Sequence, residues 1–478
     1  MTRTVFLGFD SMDVQLTREW AAKGDLPHFA RVFETWASLP TLNPEGLLVG
    51  GLWPAFWSEA GPAHHGSYCW RQLVPGTYTT AEMSPADFDS EPFWLRLDQA
   101  GIRCAIFDVP LVRPIPLRNG VHIVDWGSHD SQLDTSISDA ALASRLHTLG
   151  SYPQKRCDIT IHDSGREHLL TALRTGVGMR SEALSWLLAS EYDFVAAVFS
   201  ETHCVGHQLF HVHKPSHPRY DPGLAARLPD DPMLTVYRDI DAALGRVLSE
   251  VPDDTALMLL FSHGFGAHYD GNPLLAEIME RIARARRPAG ALTTLRERFL
   301  VPLRGVRRRL RRALFPRQRH ARNLRNVDGT AAWFAIPNND LYGAVRLNLR
   351  GREPWGRVMP GADQELAIQT IVEELLSLRH ESTGSPAVLR VLRTDDYHQG
   401  PNRHLLPDLF VEWNWSEPFV ALTSPTIGVI CSTSEPLRTG DHRPHGEVFV
   451  RNLVLPANEQ IPVESLADVL VSDVLARR

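Results

Sequence analysis

Two histidines lie four residues apart in the segment Glu201-Thr-His-Cys-Val-Gly-His207, directly after an apolar run, Asp193–Ser200, that predicts a strand. On a helical turn this spacing places the imidazoles of His203 and His207 on one face. Such a pair can offer two nitrogens to one metal ion. The same spacing also occurs in helices that bind nothing, so the setting of the pair decides its meaning.

A third histidine, His442, lies far downstream in Gly440-Asp-His-Arg-Pro-His-Gly446. Three neutral imidazoles around one divalent ion leave a fourth position open for water, which is the arrangement of a catalytic zinc. The carboxyl ends of strands in open α/β sheets collect ligand sites. The sequence therefore predicts a zinc site formed by His203, His207 and His442, with nitrogens about 2.0–2.1 Å from the ion.

Two more chemically capable residues follow predicted strands. Asp10 ends the first strand in Gly8-Phe-Asp10, and His263 follows another in Phe261-Ser-His-Gly264. Since strands of one parallel sheet end at one edge, these residues and the histidines are expected to share a site.

The residues near the His203/His207 pair allow other interpretations. Cys204 could be a soft metal ligand, but its side chain is expected to point away from the histidine face. His211, His213 and His217 follow at once. They are interpreted as loop residues that could contact substrate, with a second histidine cluster as the alternative.

Composition places the chain among ordinary soluble globular proteins. It has 478 residues, of which 43% are hydrophobic and 22% charged, and its net charge is -7. The overall charge gives no sign of nucleic-acid binding, and no apolar run is long enough to span a membrane. The start of the chain has no secretory apolar region. The five cysteines are odd in number and scattered, so reduced thiols and a cytoplasmic location are expected.

Strand-like and helix-like segments alternate along the chain. This alternation predicts a doubly wound, mostly parallel α/β core. The predicted strands are Thr4–Phe9, Arg103–Phe107, Val121–Val124, Asp193–Ser200, Thr255–Phe261 and Val448–Val454, and the predicted helices are Pro92–Ala100, Gly165–Ser190 and Thr235–Leu248.

The segment Arg281–Arg325 departs from the rest of the chain. It is rich in arginine and contains a single acidic residue, Glu297. It is interpreted as an inserted helical element, either a solvated insertion, a cap that attracts a polyanionic substrate, or a contact for acidic lipid or nucleic acid. The predicted organisation is a core over residues 1–280, the insertion over 281–330, and smaller cap elements with a return to the core over 331–478.

Taken in order, several motifs resemble the type I phosphodiesterase / nucleotide pyrophosphatase family of the alkaline phosphatase superfamily. The resemblance covers most of the chain except the arginine-rich insertion, and it implies an alkaline-phosphatase-like fold with a smaller cap. The motifs that carry it are Gly8-Phe-Asp10, Trp53-Pro-Ala-Phe-Trp-Ser58, Pro62-Ala-His-His-Gly66, Glu201–His207, Ser262-His-Gly264, His442, Ala344–Pro354 and Pro407–Trp413.

The resemblance implies two zinc sites and a nucleophile. The first site matches His203, His207 and His442, with His203 in place of the family's aspartate. The second site matches Asp10 and His263, but Ser262 stands where the family has another aspartate. Val49 stands at the position of the threonine or serine nucleophile.

These departures have chemical consequences. Valine has no oxygen, so it cannot form a covalent phospho-enzyme. Replacing aspartate by Ser262 removes a negative charge, which predicts a weak or absent second metal. Replacing aspartate by His203 makes the first site richer in nitrogen, which favours zinc over magnesium or calcium.

Three functions are consistent with these residues. The first is hydrolysis of a phosphodiester or pyrophosphate-type substrate by direct attack of a zinc-bound hydroxide, with Asp10 or His263 as base or as a group that orients the water. The second is transfer of a phosphoryl or sulfuryl-type group to an acceptor in specialised metabolism. The third is binding of an anion without catalysis. Each predicts a small anionic substrate or ligand, with a nucleotide among the candidates. A side-chain hydroxyl near the site could serve as a nucleophile in place of Val49. The nearby candidates are Thr41, Ser58 and Ser262.

Overall fold

The computed structural model describes residues 3–88, 90–128, 133–153, 163–286, 322–324, 327, 331–339, 341–432 and 438–477. Most of the arginine-rich segment falls outside these residues, so its predicted helical character and its role stay predictions.

Helices of very different length flank the sheets. The longest within the described residues is α7, and one residue separates α8 from a strand of the central sheet. The helices are α1 Val14–Ala22, α2 Pro27–Thr35, α3 Leu48–Ser58, α4 Pro62–His65, α5 Trp94–Gln99, α6 Ala140–His147, α7 Asp163–Leu188, α8 Glu201–His213, α9 Pro222–Arg227, α10 Pro232–Glu250, α11 Asn272–Ala285, α12 Ala362–Leu376, α13 Thr394–Tyr397 and α14 Leu466–Ala476.

The strands follow the predicted alternation. They are β1 Thr4–Phe9, β2 Ala37–Leu42, β3 Arg71–Leu73, β4 Thr79–Glu82, β5 Cys104–Phe107, β6 Val121–Val124, β7 Ser136–Ile137, β8 Phe194–Phe199, β9 Ala256–Phe261, β10 Gly264–Ala267, β11 Arg322–Asn323, β12 Trp333–Ile336, β13 Tyr342–Leu347, β14 Arg379–His380, β15 Val388–Arg393, β16 Leu409–Trp413, β17 Ala421–Ser424, β18 Gly428–Cys431, β19 Gly440–Arg443, β20 Gly446–Arg451 and β21 Ile461–Pro462.

The central sheet has the strand order β21-β2-β20-β9-β1-β8-β5-β6-β7. The run from β9 to β6 is parallel throughout, with β1 between β9 and β8. Every residue of β1, β8 and β9 is buried, because apolar clusters cover both faces of the sheet. This arrangement confirms the predicted doubly wound, mostly parallel α/β fold.

A second sheet, with the order β12-β13-β16-β15, lies outside the central one. Its apolar side chains pack with those of α11 and α12 in a third core cluster. The division of the chain at residues 280 and 330 stays a prediction.

Most predicted elements agree with the structure to within a few residues. Two local interpretations are wrong. His211 and His213 lie in α8, not in a loop, because the helix continues for six residues beyond His207. The expectation that His442 ends a strand of the same sheet as the other site residues is also wrong, because it lies within β19, which pairs with β10 in a separate two-stranded sheet.

A helix that crosses a membrane must be both long and apolar. None among the described residues meets both requirements.

Candidate metal centre

Helix α8 carries the first two predicted ligands. It starts where β8 ends, so its first turn lies at the carboxyl edge of the central sheet. His203 and His207 are one turn apart, and their ring centroids are 4.5 Å apart. Both side chains are buried. The spacing in the sequence therefore gives two imidazoles on one buried helix face.

Two glycines let α8 and β19 approach each other closely. A β-carbon on Gly440 would lie 2.4 Å from the backbone oxygen of Gly206, and one on Gly206 would lie 2.7 Å from the ring of Phe265. This close contact brings Nδ1 of His207 within 2.8 Å of the backbone oxygen of Gly440. Because a carbonyl can only accept, Nδ1 carries the proton, and neutral His207 has its lone pair on Nε2.

His442 completes the group from β19. Its Nε2 lies 3.1 Å from Nε2 of His207, and its ring centroid is 4.9 Å from that of His203. One ligand nitrogen from each of the three buried histidines lies within 4.8 Å of the other two. A tetrahedral zinc with bonds of about 2.05 Å holds its nitrogens roughly 3.3 Å apart. The three histidines therefore fit a single metal ion.

Asp10 and His263 lie beside this group, at the ends of adjacent strands β1 and β9. The ring of His263 is 4.4 Å from that of His442, and its Nε2 is 3.7 Å from Oδ1 of Asp10. The same Oδ1 accepts hydrogen bonds from Trp53 Nε1 at 2.9 Å and from Ser262 Oγ at 3.3 Å. Among the described residues, the three histidines form the only group of three or more metal-binding side chains, and Asp10 and His263 belong to no such group.

The structure also places the residues considered as nucleophiles. Val49 is half-buried in the first turn of α3 and packs against the apolar cluster on that face. Thr41 is buried on β2, and its hydroxyl has no hydrogen-bond partner within the described parts of the chain. Ser58 lies at the far end of α3, where its hydroxyl donates to the backbone oxygen of Ala60 at 3.4 Å.

Two polar residues at the centre were missed by the sequence analysis. Ser11 is fully buried, and its Oγ lies 3.3 Å from Nδ1 of His442 and 3.5 Å from Nε2 of His263. Arg438 is half-buried, and its Nη1 lies 3.4 Å from Nε2 of His207. Arg438 stands four residues before His442 in the chain, and Ser11 follows Asp10, so proximity to a predicted site residue was the only available signal.

A buried ionic cluster supports the first turn of α8. Arg180 in α7 contacts Glu201 at 3.0 Å, Asp108 at 2.9 Å and the backbone oxygen of Gly127 at 2.6 Å, and Tyr152 donates to Glu201. Burial lowers the pKa of Arg180, but the charges of Glu201 and Asp108 reverse this and raise it overall. Arg180 therefore stays a cation that fixes Glu201, two residues before His203.

The remaining histidines of this region have partners of their own. His211 lies 3.2 Å from the hydroxyl of Thr439, and burial, followed by nearby cationic groups, lowers its pKa to about 3. His217 contacts the backbone oxygen of Thr439, and His213 contacts Asp231.

Cys204, between the two ligand histidines, is disulfide-bonded, so its sulfur is not offered to the metal centre. The expectation of reduced thiols is therefore wrong at this position, whereas Cys69, Cys104 and Cys431 are free.

Comparison with protein families gives one clear result. The model of the type I phosphodiesterase / nucleotide pyrophosphatase family matches residues 4–416. A comparison with curated protein sequences finds no match.

Solved structures with the same fold include phosphonoacetate hydrolase from Sinorhizobium meliloti 1021. Its complex with phosphonoformate is 14% identical, with a TM-score of 0.57 over 99% of this chain and 96% of that chain. Its complex with phosphonoacetate is 12% identical, with a TM-score of 0.55 and the same coverage. Human ectonucleotide pyrophosphatase / phosphodiesterase 5 is more distant, with 11% identity and a TM-score of 0.48 over 99% of this chain and 95% of that chain. The predicted alkaline-phosphatase-like fold is confirmed.

Proposed function

The chain belongs to the type I phosphodiesterase / nucleotide pyrophosphatase family, and on this premise we propose that it is a one-metal hydrolase of phosphodiester or pyrophosphate-type substrates. The observation that carries the proposal is the group of three buried histidines whose ligand nitrogens lie within 4.8 Å of one another. An all-imidazole site favours zinc over the harder cations magnesium and calcium. When bound, the ion supplies Lewis-acid polarisation and makes a neighbouring water more acidic.

Water takes the place of the family's protein nucleophile. Val49 has no oxygen to attack phosphorus. In the proposed reaction the oxygen of water bonds to phosphorus, and the bond from phosphorus to the leaving oxygen breaks. The carboxylate of Asp10 accepts the proton of the water, and His263, 3.7 Å from Asp10, passes a proton to the leaving oxygen.

Arg438 supplies a positive charge next to His207. Its guanidinium lies 3.4 Å from the metal-facing nitrogen of His207. Arginine presents a planar set of donors that matches phosphate oxygens. We assign it to binding the anionic oxygens of the substrate. This role agrees with a small anionic substrate, the kind of molecule bound in the phosphonoformate complex of the structural relative.

The decisive experiment combines metal content with product analysis. Purified protein is expected to hold one equivalent of zinc by elemental analysis, and His207→Ala is expected to lose it. The exposed His147 provides the matched control, since His147→Ala should keep both zinc and activity.

Activity is then measured on phosphodiesters, phosphomonoesters and sulfate esters in water enriched in oxygen-18. Phosphate or phosphomonoester that carries oxygen-18 supports hydrolysis. An unlabelled adduct of an added alcohol or amine acceptor supports group transfer. Protein that binds zinc but turns over none of these substrates would support the silent anion-binding function.

A further inference from the structure

Ser11 has an unusual backbone conformation for its residue type. Its φ angle is 58°, in the left-handed region, and its side chain is fully buried. A residue with a β-carbon is strained in this region, and glycine avoids the strain. The serine hydroxyl must therefore offer something that a glycine at this position would not.

The hydroxyl lies between two functional histidines. It is 3.3 Å from Nδ1 of His442 and 3.5 Å from Nε2 of His263. His442 directs its other nitrogen, Nε2, toward His207 at 3.1 Å. The two nitrogens of His442 thus have separate partners, one in the metal group and one in Ser11.

The neighbouring ligand shows what such a contact does. The backbone oxygen of Gly440 accepts from Nδ1 of His207 and thereby leaves the lone pair on Nε2. In His442 the corresponding nitrogen, Nδ1, faces the Ser11 hydroxyl. A hydroxyl can accept one hydrogen bond and donate another, so it can act on both histidines at once.

We infer that Ser11 is a positioning residue that fixes the tautomer of His442 and couples it to His263. The hydroxyl accepts from Nδ1 of His442, which leaves the lone pair of Nε2 for the metal. Its contact with Nε2 of His263 at 3.5 Å orients that ring beside Asp10. This inference rests on the proposed one-metal function, because it concerns a ligand of that metal.

The backbone of Ser11 ties the same unit to the carboxylate. Its N–H donates to Oγ of Ser262 at 3.0 Å, and Ser262 donates to Asp10 at 3.3 Å. Any substitution at position 11 that preserves the backbone therefore keeps this contact. Variants of the Ser11 side chain therefore leave this backbone contact in place.

Two variants separate the hydroxyl from the backbone. Ser11→Ala removes the hydroxyl and keeps the β-carbon, and Ser11→Gly removes both. Both are expected to lower zinc affinity about 10- to 100-fold, the usual effect of losing the partner of a ligand histidine. The metal-free Ser11→Gly protein should melt no lower than wild type, because the backbone strain is relieved. Affinity is measured by competition with a chromogenic chelator, and the ligand geometry by the visible spectrum of the cobalt(II) protein.

Asn452 provides the matched control. It also has a positive φ, 57°, but lies beyond β20 at the opposite edge of the sheet, so Asn452→Gly should leave zinc affinity unchanged. Wild-type zinc affinity in both Ser11 variants, with an unaltered cobalt spectrum, overturns the inference. If wild-type protein binds no zinc, the proposed function itself fails. If wild-type protein binds zinc and His207→Ala loses it, the proposed metal site holds. The Ser11 variants then test the inference about Ser11 separately from the proposed function.

Discussion

The indole nitrogen of Trp53 donates a hydrogen bond to Oδ1 of Asp10, with 2.9 Å between the two atoms. Both residues are buried, and Ser262 donates to the same carboxylate oxygen at 3.3 Å. The family resemblance implies a cation on this carboxylate. Two neutral donors stabilise this buried carboxylate oxygen, in addition to any cation near it.

Restoring the missing carboxylate should restore the second site. Ser262→Asp places a second buried carboxylate near Asp10, and the repulsion between them should lower the stability of the metal-free protein. Excess zinc should reverse this loss and raise the metal content from one to two equivalents. Elemental analysis and thermal melts with and without zinc measure both effects. Ser262→Asn has the same shape without the charge and should bind one equivalent. Two tightly held equivalents in the wild type would contradict the one-metal proposal.

Asp10 is expected to work as a base and not as a primary ligand. Asp10→Asn preserves the shape of the side chain but cannot accept the proton, so turnover should fall roughly 10²-fold or more. Zinc content should stay at one equivalent, because His203, His207 and His442 are unchanged. Steady-state kinetics and elemental analysis on the same preparation test this. Stoichiometric loss of zinc in Asp10→Asn would make Asp10 a ligand.

A hydroxyl at position 49 should not restore the family's covalent route. Val49→Thr introduces an oxygen at the first turn of α3, but Ser262 still leaves the second site without its carboxylate. We therefore expect activity no higher than wild type and no phosphorylated side chain after rapid quench. Mass spectrometry of the quenched protein detects such an adduct at one phosphate per chain. A trapped adduct in either protein would overturn the direct-attack mechanism.

The sequence was enough to predict the elements that hold the centre. The apolar runs before Asp10, Glu201 and His263 are adjacent parallel strands, so the register of one sheet brings their ends together. The His-x-x-x-His spacing follows from helical periodicity, which is a local property. The chemistry of three imidazoles predicted His442 as the third ligand, but the strand that carries it could not be predicted, because β19 pairs with β10 and not with the central sheet.

The contacts that tune the centre could not be predicted in the same way. The positive φ of Ser11, the hydrogen bond from Trp53 to Asp10 and the approach of Arg438 to His207 depend on packing between segments distant in sequence. Continuation of α8 through His211 was missed because a histidine-rich run has no distinct apolar face. The disulfide at Cys204 was missed because scattered cysteines carry no spacing signal.

Arg438 should affect substrate binding more than metal binding. Arg438→Met keeps much of the side-chain length but removes the charge, so KM for an anionic diester should rise about tenfold or more with zinc content unchanged. Arg438→Lys should recover part of the loss, because it restores the charge without the planar donors. Inhibition by inorganic phosphate should weaken in parallel. The exposed Arg350 provides a control, and Arg350→Met should leave KM unchanged. Loss of zinc in Arg438→Met would indicate a structural role instead.

Buried neutral histidines should make the fold sensitive to mild acid. Burial lowers the pKa of His65 to about 3, of His122 to about 4 and of His211 to about 3. Histidine in an unfolded chain has a pKa of about 6.5. Between that pH and the lower pKa values of the folded protein, the unfolded chain binds protons that the native protein does not bind. The free energy of unfolding should therefore fall as the pH drops below about 6.5, by roughly 1.4 kcal/mol per unit for each such histidine. Urea unfolding of the chelator-treated protein between pH 7.5 and 5 measures this dependence without interference from metal release.

His122 lies on β6 and outside the metal group, so His122→Gln should make the slope shallower by about one proton. His147→Gln removes an exposed histidine and should leave the slope unchanged. An identical slope in wild type and His122→Gln would mean that His122 takes up its proton in the folded protein, against the effect of its burial.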